Sequence, residues 1–495
     1  MLTKPSIARL DLSIVPVVVL LRTLVRHGII SALVPVTIWI FCTWPGQMNP
    51  DSTIHWDEAL SNKYSNWFPV SYSLIVGIGQ FIGNYSPAPV VIFQGICLIA
   101  SAAYLVCILT PSLLRRNLVL MAFFSWPQTG GQLTLIGKET LFVASFLGLT
   151  ASLIQVKRRG PNWVSLVVIG ITALALSIVR WNGPIVVGFL SAYLILVRRT
   201  RNFNVLAVMA LSLFLGIGIL LFPPFSDNAG GKALRVSGHT VDIAWSLRSD
   251  YNNFSHNDLK LLEKIAPLDS WALSQSNCNN AAMPLLYDVF AESPTAQDLI
   301  SDNRENIRNI WVENTFRHPL TFLAGRICKM KGLLVPAKEW WPSYSSPSQQ
   351  VFEYRYNVTP FPPLSTRGAS FAARLLDSWG ASLIGQISAM PLFWLSLLLI
   401  RARIKGLIRS EFSIILLSGS SVIASIFIGG VGLEPRYVFP TVAIFFLYFV
   451  TMHSCLAARF NLVLNVKPKE NFNRMNCRKL FWRARQESNL QPFDP

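Results

Sequence analysis

Long apolar runs punctuated by short polar ones set the pattern of this chain. A membrane-crossing helix needs roughly 20 apolar residues. Candidates lie at about 27–44, 88–109, 117–135, 140–156, 162–179, 183–197, 203–222, 381–400, 412–432 and 437–455. In the third, Pro127 and Gly130-Gly131 interrupt the run. The stretch Val70 to Tyr85 is short and broken by glycines, which predicts a helix lying in or dipping into the interface. The pattern therefore predicts an all-α polytopic membrane protein of ten spans, with interfacial helices in a first external loop and a second, large external loop.

The distribution of charge orients the spans. Lys and Arg number 43 against 25 Asp and Glu, and they cluster between apolar runs rather than forming a nucleic-acid-binding face. With Arg22 and Arg26 cytoplasmic, the ten-span count also puts Arg115-Arg116, Lys157 to Arg159, Arg198 to Arg201 and Arg401 to Arg409 in the cytoplasm. The organisation that follows is a cytoplasmic N-terminus at 1–26, read as a retained anchor, and a membrane region at 27–222 containing an external loop at 45–87. An external loop or small domain at 223–380, membrane helices at 381–457 and a basic cytoplasmic tail at 458–495 complete it. The last stretch, Trp482 to Pro492, resembles the peptide made when a transfer-RNA gene is translated, so the gene product is expected to diverge or stop before about residue 478. The seven cysteines show no paired spacing, and no disulfide framework or zinc site is expected.

Candidate chemistry falls at the external rim. Span interiors hold essentially no ionisable residue, whereas a transporter usually shows one there. Asn49-Pro50 predicts a helix start with Asp51 in its first turn. Seven residues drift only about 20° around a helix, so Glu58 shares the Asp51 face while Asp57 points elsewhere. Two acids on one face can divide work as base and ligand; one carboxylate at a helix start is the plainer reading. Lys138-Glu139 opens a span, with snorkelling of the lysine as its plain reading. Arg180, followed by Trp181 and Asn182, ends a span on the external side and calls for an anionic partner. Arg436 beside Glu434 repeats this near Tyr437, with a local ion pair as the plain reading. His318-Pro319 with Arg326, Lys329 and Lys331 reads as a basic segment on the membrane surface. Trp340, Trp341 and Tyr344 could stack on sugar rings or form an interfacial belt. No phosphate-binding glycine loop, metal-ligand cluster or Gly-x-Ser-x-Gly elbow is present.

Taken together, the acid after the first span, Trp67-Phe68-Pro69, Lys138-Glu139, Arg180-x-Asn182, His318-Pro319 with Arg326, and Arg436-Tyr437 resemble the GT-C superfamily of polytopic glycosyltransferases. The likeness is to bacterial members of the dolichyl-phosphate-mannose and aminoarabinose transferase type, over roughly residues 25–457. The chain departs from them in having Phe68-Pro69-Val70 for His-Pro-Pro and Glu139 for an aspartate. The resemblance implies a polyprenyl-phosphate-linked sugar donor and a glycan, lipid or protein acceptor at the periplasmic face of a bacterial plasma membrane. Asp51 would be the general base of an inverting displacement, and Lys138, Arg180 or Arg436 would hold the lipid phosphate. Glu58 would assist the acceptor or a divalent cation, since metal-dependent and metal-free members both exist. Glu139, Asn182, Arg326 and Tyr437 would join the substrate site. The competing readings are a polysaccharide polymerase or ligase, a lipid-linked-sugar transporter, and a non-catalytic membrane subunit that kept the fold.

Overall fold

Helix starts are written locally in the sequence. Asn49 accepts from the Ser52 backbone while Ser52 returns a hydroxyl contact to the Asn49 N–H, and Pro50 occupies the first helical position. Asn162 with Ser165 and Ser255 with Asp258 repeat the device. The computed structural model describes residues 27–64, 68–196, 202–221, 236–249, 251–273, 299–334, 364–405, 410–429 and 435–465. Of these residues 86% are helical, and no strand occurs among them.

In chain order the helices are α1 (Ile29–Thr43), α2 (Pro50–Ser61), α3 (Val70–Ile82), α4 (Ala88–Leu109), α5 (Leu113–Ser125), α6 (Pro127–Thr134), α7 (Lys138–Arg159), α8 (Trp163–Val179), α9 (Gly183–Leu196) and α10 (Phe203–Leu220). They continue as α11 (Ser237–Ser249), α12 (His256–Ile265), α13 (Leu268–Leu273), α14 (Arg304–Arg317), α15 (Pro319–Leu334), α16 (Thr366–Ala381), α17 (Leu383–Ser388), α18 (Pro391–Lys405), α19 (Ser410–Gly429) and α20 (Pro435–Asn465). Residues 1–451 form one compact unit. Residues 452–495 form a second, of which only the continuation of α20 to Asn465 is described.

α4, α7, α10 and Glu411–Ile428 within α19 are long and apolar enough to cross a membrane. Shorter apolar helices accompany them, among them α1, α3, α8 and α9. The expected run at 117–135 is not one helix but two, α5 and α6, because Trp126 precedes Pro127 and is held extended. Around the break, the Trp39 indole donates to the Phe124 carbonyl at 3.1 Å, and Trp126 stacks on Phe446 at 4.9 Å. Gly130 is required there, since a Cβ would overlap the Trp39 ring. The expected run at 381–400 is likewise divided, into α17 and the Pro391-initiated α18.

Every residue of α7 from Lys138 to Ile154 is buried, on all sides of the helix. Its ends define two polar layers. At one lie Asp51, Lys138 and Arg180; at the other, Arg158 meets Glu411 at 2.7 Å and Lys157 reaches Ser413 at 3.4 Å. α9 runs between these layers against α19, with Asn182 bonded to Ser425 and Tyr193 to Ser413, each at 3.0 Å.

α11 to α14 gather around Trp271, which is fully buried among Leu247, Leu262 and Ile307. This core belongs to the region expected as an external loop or small domain. Cys328 on α15 is disulfide-bonded; sequence spacing does not report proximity in space. Cys42, Cys97 and Cys107 are free thiols.

Candidate functional site

The site is built where three segments meet. α2 brings Asp51, His55 and Glu58 to one buried face, while Asp57 is exposed. The Pro45–Asn49 segment is fixed alongside the start of α7: the Gln47 N–H donates to the Thr134 carbonyl at 2.8 Å, and the Gln47 carbonyl accepts from the Ile136 N–H at 2.9 Å. Gly46 has φ of 140°, and a Cβ there would meet Val91 at 2.7 Å, so only glycine lets the strand-like segment approach so closely. The Ser52 hydroxyl donates to the Ile136 carbonyl and pins α2 over the start of α7.

Lys138 then stands between two carboxylates, 3.2 Å from Asp51 and 3.7 Å from Glu139, with its ammonium 3.4 Å from the centre of the Phe68 ring. Glu139 also faces Arg180 at 3.9 Å, and the Arg180 guanidinium lies over Tyr437 at 4.4 Å and Phe142 at 5.4 Å. The carboxyl side chains differ in access: Asp51 is 12% exposed and Glu139 1%. Among the described residues, the buried Arg180 Nη1 makes no hydrogen bond. Aromatic faces carry the cations at a depth where a bare charge would be costly.

Five of the sequence-predicted residues, Asp51, Lys138, Glu139, Arg180 and Tyr437, thus form one network. Snorkelling does not describe Lys138, which is 4% exposed because its charge is matched within the protein. Glu58 turns to a different partner, accepting from Ser73 at 2.6 Å, and Ser73 lies 2.8 Å from His55 Nδ1. Asn182 bonds to Ser425 and not to the network's charges. Arg326 is also elsewhere: it pairs with Asp242 at 2.5 Å and donates to the Phe427 carbonyl at 3.0 Å. Its side chain is 5% exposed, so within the segment expected on the membrane surface this arginine faces the protein. Asp242 supplies the buried counter-charge that draws it inward.

No family model, curated protein or solved structure matches this chain. The side chain of Arg436, together with Trp67, Glu434, Trp340, Trp341 and Tyr344, lies outside the described residues. So do Arg22, Arg26, Arg198 to Arg201 and the tail beyond Asn465.

Sequence reasoning passed over His55, Phe68 as a cation platform, and Ser73. His55 was within reach, since Asp51, His55 and Glu58 follow the i, i+4, i+7 spacing of one helix face. Its ring packs on Phe68 at 4.6 Å and Tyr72 at 4.8 Å, joining the Glu58 contacts to the Lys138 network. Among the described residues no group of three or more His, Cys, Asp or Glu is placed to hold a metal ion. Asp51 pairs with Lys138, and Glu58 accepts from Ser73.

Proposed function

We propose that the chain is a membrane glycosyltransferase of the GT-C type, moving a sugar from a polyprenyl-phosphate donor to an acceptor hydroxyl with inversion. The observation that carries this reading is the meeting of Asp51, Lys138, Glu139, Arg180 and Tyr437 at one end of the helical layer, from widely separated points of the sequence. In the reaction, Asp51 accepts the acceptor's proton as its oxygen attacks the anomeric carbon. The carbon–oxygen bond to phosphate breaks, and the electron pair leaves with the polyprenyl phosphate. Arg180 is suited to the departing phosphate, having an open N–H donor and a planar fork for phosphate oxygens.

Lys138 is paired with Asp51, so an arriving lipid phosphate competes with Asp51 for it. Donor binding then releases Asp51 to act as base. The external placement of this end follows from a ten-pass reading in which α5 and α6 together make one pass.

The test is Asp51→Asn in a transfer assay with labelled polyprenyl-phosphate sugar. Loss of transfer by about 100-fold or more, with retained folding, is expected for a general base; turnover like the wild type refutes the role. The pairing of Asp51 with Lys138 favours one second reading, a non-catalytic subunit that keeps the fold. It is distinguished by lipid-phosphate binding without sugar transfer in the unaltered protein.

A further inference from the structure

A second polar site lies at the far end of α7. The helix has 22 residues, a length of roughly 33 Å, against a bilayer hydrocarbon thickness of roughly 30 Å. Its last turn therefore stands at headgroup level in the leaflet opposite the Asp51 network. There the start of α1, the end of α4, the start of α5 and the end of α7 enclose a cavity of about 670 Å³. This is within the roughly 300–1,000 Å³ usual for small-molecule sites.

Its lining is divided by chemistry. Arg116, Arg158 and Arg159 form a cationic rim, with His27 beside them. No carboxylate is among the described residues of the lining, and Arg158 reaches outside it to pair with Glu411 at 2.7 Å. Arg116 is braced by donation from Nε to the Thr110 carbonyl at 2.9 Å, and Arg158 by donation to the Ile108 carbonyl, so both guanidinium groups are held at the rim. Arg159 is exposed, and the Tyr104 hydroxyl donates to Gln155 at 2.9 Å. The floor is apolar, and its hollow comes from the small side chains of Ala100 and Ala103. Ala100 is exposed and continues a helical stripe with Phe93 and Ile96, which are 47% and 61% exposed. The lining is thus continuous, through Ala100, with an exposed apolar helix face of the kind that suits lipid tails.

We propose that this cavity binds the phosphate head of an anionic membrane lipid, with the chain leaving along the Phe93–Ile96–Ala100 stripe. Arginines grip phosphate oxygens, and the apolar floor and the stripe continuous with it select a phosphate that carries a hydrocarbon chain over a free one. The site is independent of the transferase reading, since it shares no residue with the Asp51 network.

The experiment is native mass spectrometry of the purified, delipidated full chain in detergent, titrated with dioleoylphosphatidic acid, dioleoylphosphatidylcholine or inorganic phosphate. The wild type is expected to retain phosphatidic acid in preference to phosphatidylcholine. Arg159→Glu, which reverses one charge at the rim, is expected to weaken that retention about tenfold. Ala100→Trp fills the hollow and leaves every charge in place, so it decides the matter if the charge reversal misfolds; it is expected to abolish the preference. Equal retention of the two lipids by the wild type overturns the proposal, as does phosphatidic acid retention unchanged by a folded Ala100→Trp. Saturation by inorganic phosphate that blocks the lipid and is insensitive to Ala100→Trp identifies a free-anion site and also overturns it.

Discussion

Lys138→Met isolates the electrostatics of the network. Methionine preserves most of the aliphatic stem and removes the charge held between Asp51 and Glu139. At 3.2 Å, the Asp51 interaction is about 5 kcal/mol at an effective dielectric of 20, and the Glu139 interaction at 3.7 Å is about 4.5 kcal/mol. Desolvation of the lysine offsets much of this in the intact protein. Removing one partner does not return what the remaining carboxylates lost, and breaking a buried pair costs about 3–5 kcal/mol. The side chains are 6% and 12% exposed, so solvent screens little. Denaturant unfolding in detergent micelles is expected to show a loss of that size for Lys138→Met. Asp51→Asn combined with Lys138→Met should cost at least about 1.5 kcal/mol less than the sum of the single changes, as for residues in direct contact. Additivity within about 0.5 kcal/mol, or a single change that leaves unfolding unaltered, would refute a coupled buried pair.

Three further outcomes are expected. Arg326→Met, which strands Asp242 with the Trp311 indole as a remaining donor at 3.0 Å, should lose about 3–5 kcal/mol in the same unfolding assay. As its control, Arg317→Met, at a pair whose side chains are 63% and 51% exposed, should change stability by under about 1 kcal/mol, and equal losses would deny burial its part. Burial holds His239 below its ordinary pKa of 6.5, Asp242 opposing and Arg326 and Arg308 assisting. Because the folded pKa is depressed, its stability contribution is present above 6.5 and is lost as pH falls below that value and through the lower folded one. The thermal midpoint should therefore drop from pH 7.5 to 5.5 by more in the wild type than in His239→Gln, and equal drops would exclude the histidine as the cause. Gly130→Ala should cost about 1–3 kcal/mol through overlap with Trp39, and a thermal midpoint equal to the wild type's would show that the indole has room to move.

Much of the helical layout was legible because apolar length and local caps act over a few residues. The start of α2 at Pro50 follows from Asn49 and Ser52 alone, and α3 emerged as a short helix because its glycines leave too little apolar length. The division at Trp126 needed the conformational restriction before proline to be weighed above the apolar run. The candidate site was legible as a set of charges at one rim, but their pairing was not. Nothing in the local sequence says that Lys138 turns to Asp51, or that Arg326 leaves the surface for Asp242 84 residues away. Those choices follow from where helices distant in sequence bring a counter-charge. Ser73 carried no signal, since a hydroxyl in an apolar run is ordinarily satisfied by its own helix.

The all-round burial of α7 gives it a mechanical role. A rod gripped along its flanks by close-packed neighbours has little freedom to bend, and protein interiors compress poorly. The Lys138 end and the Arg158 end are therefore held a fixed distance apart, so that the two charged layers keep their spacing without any contact between them.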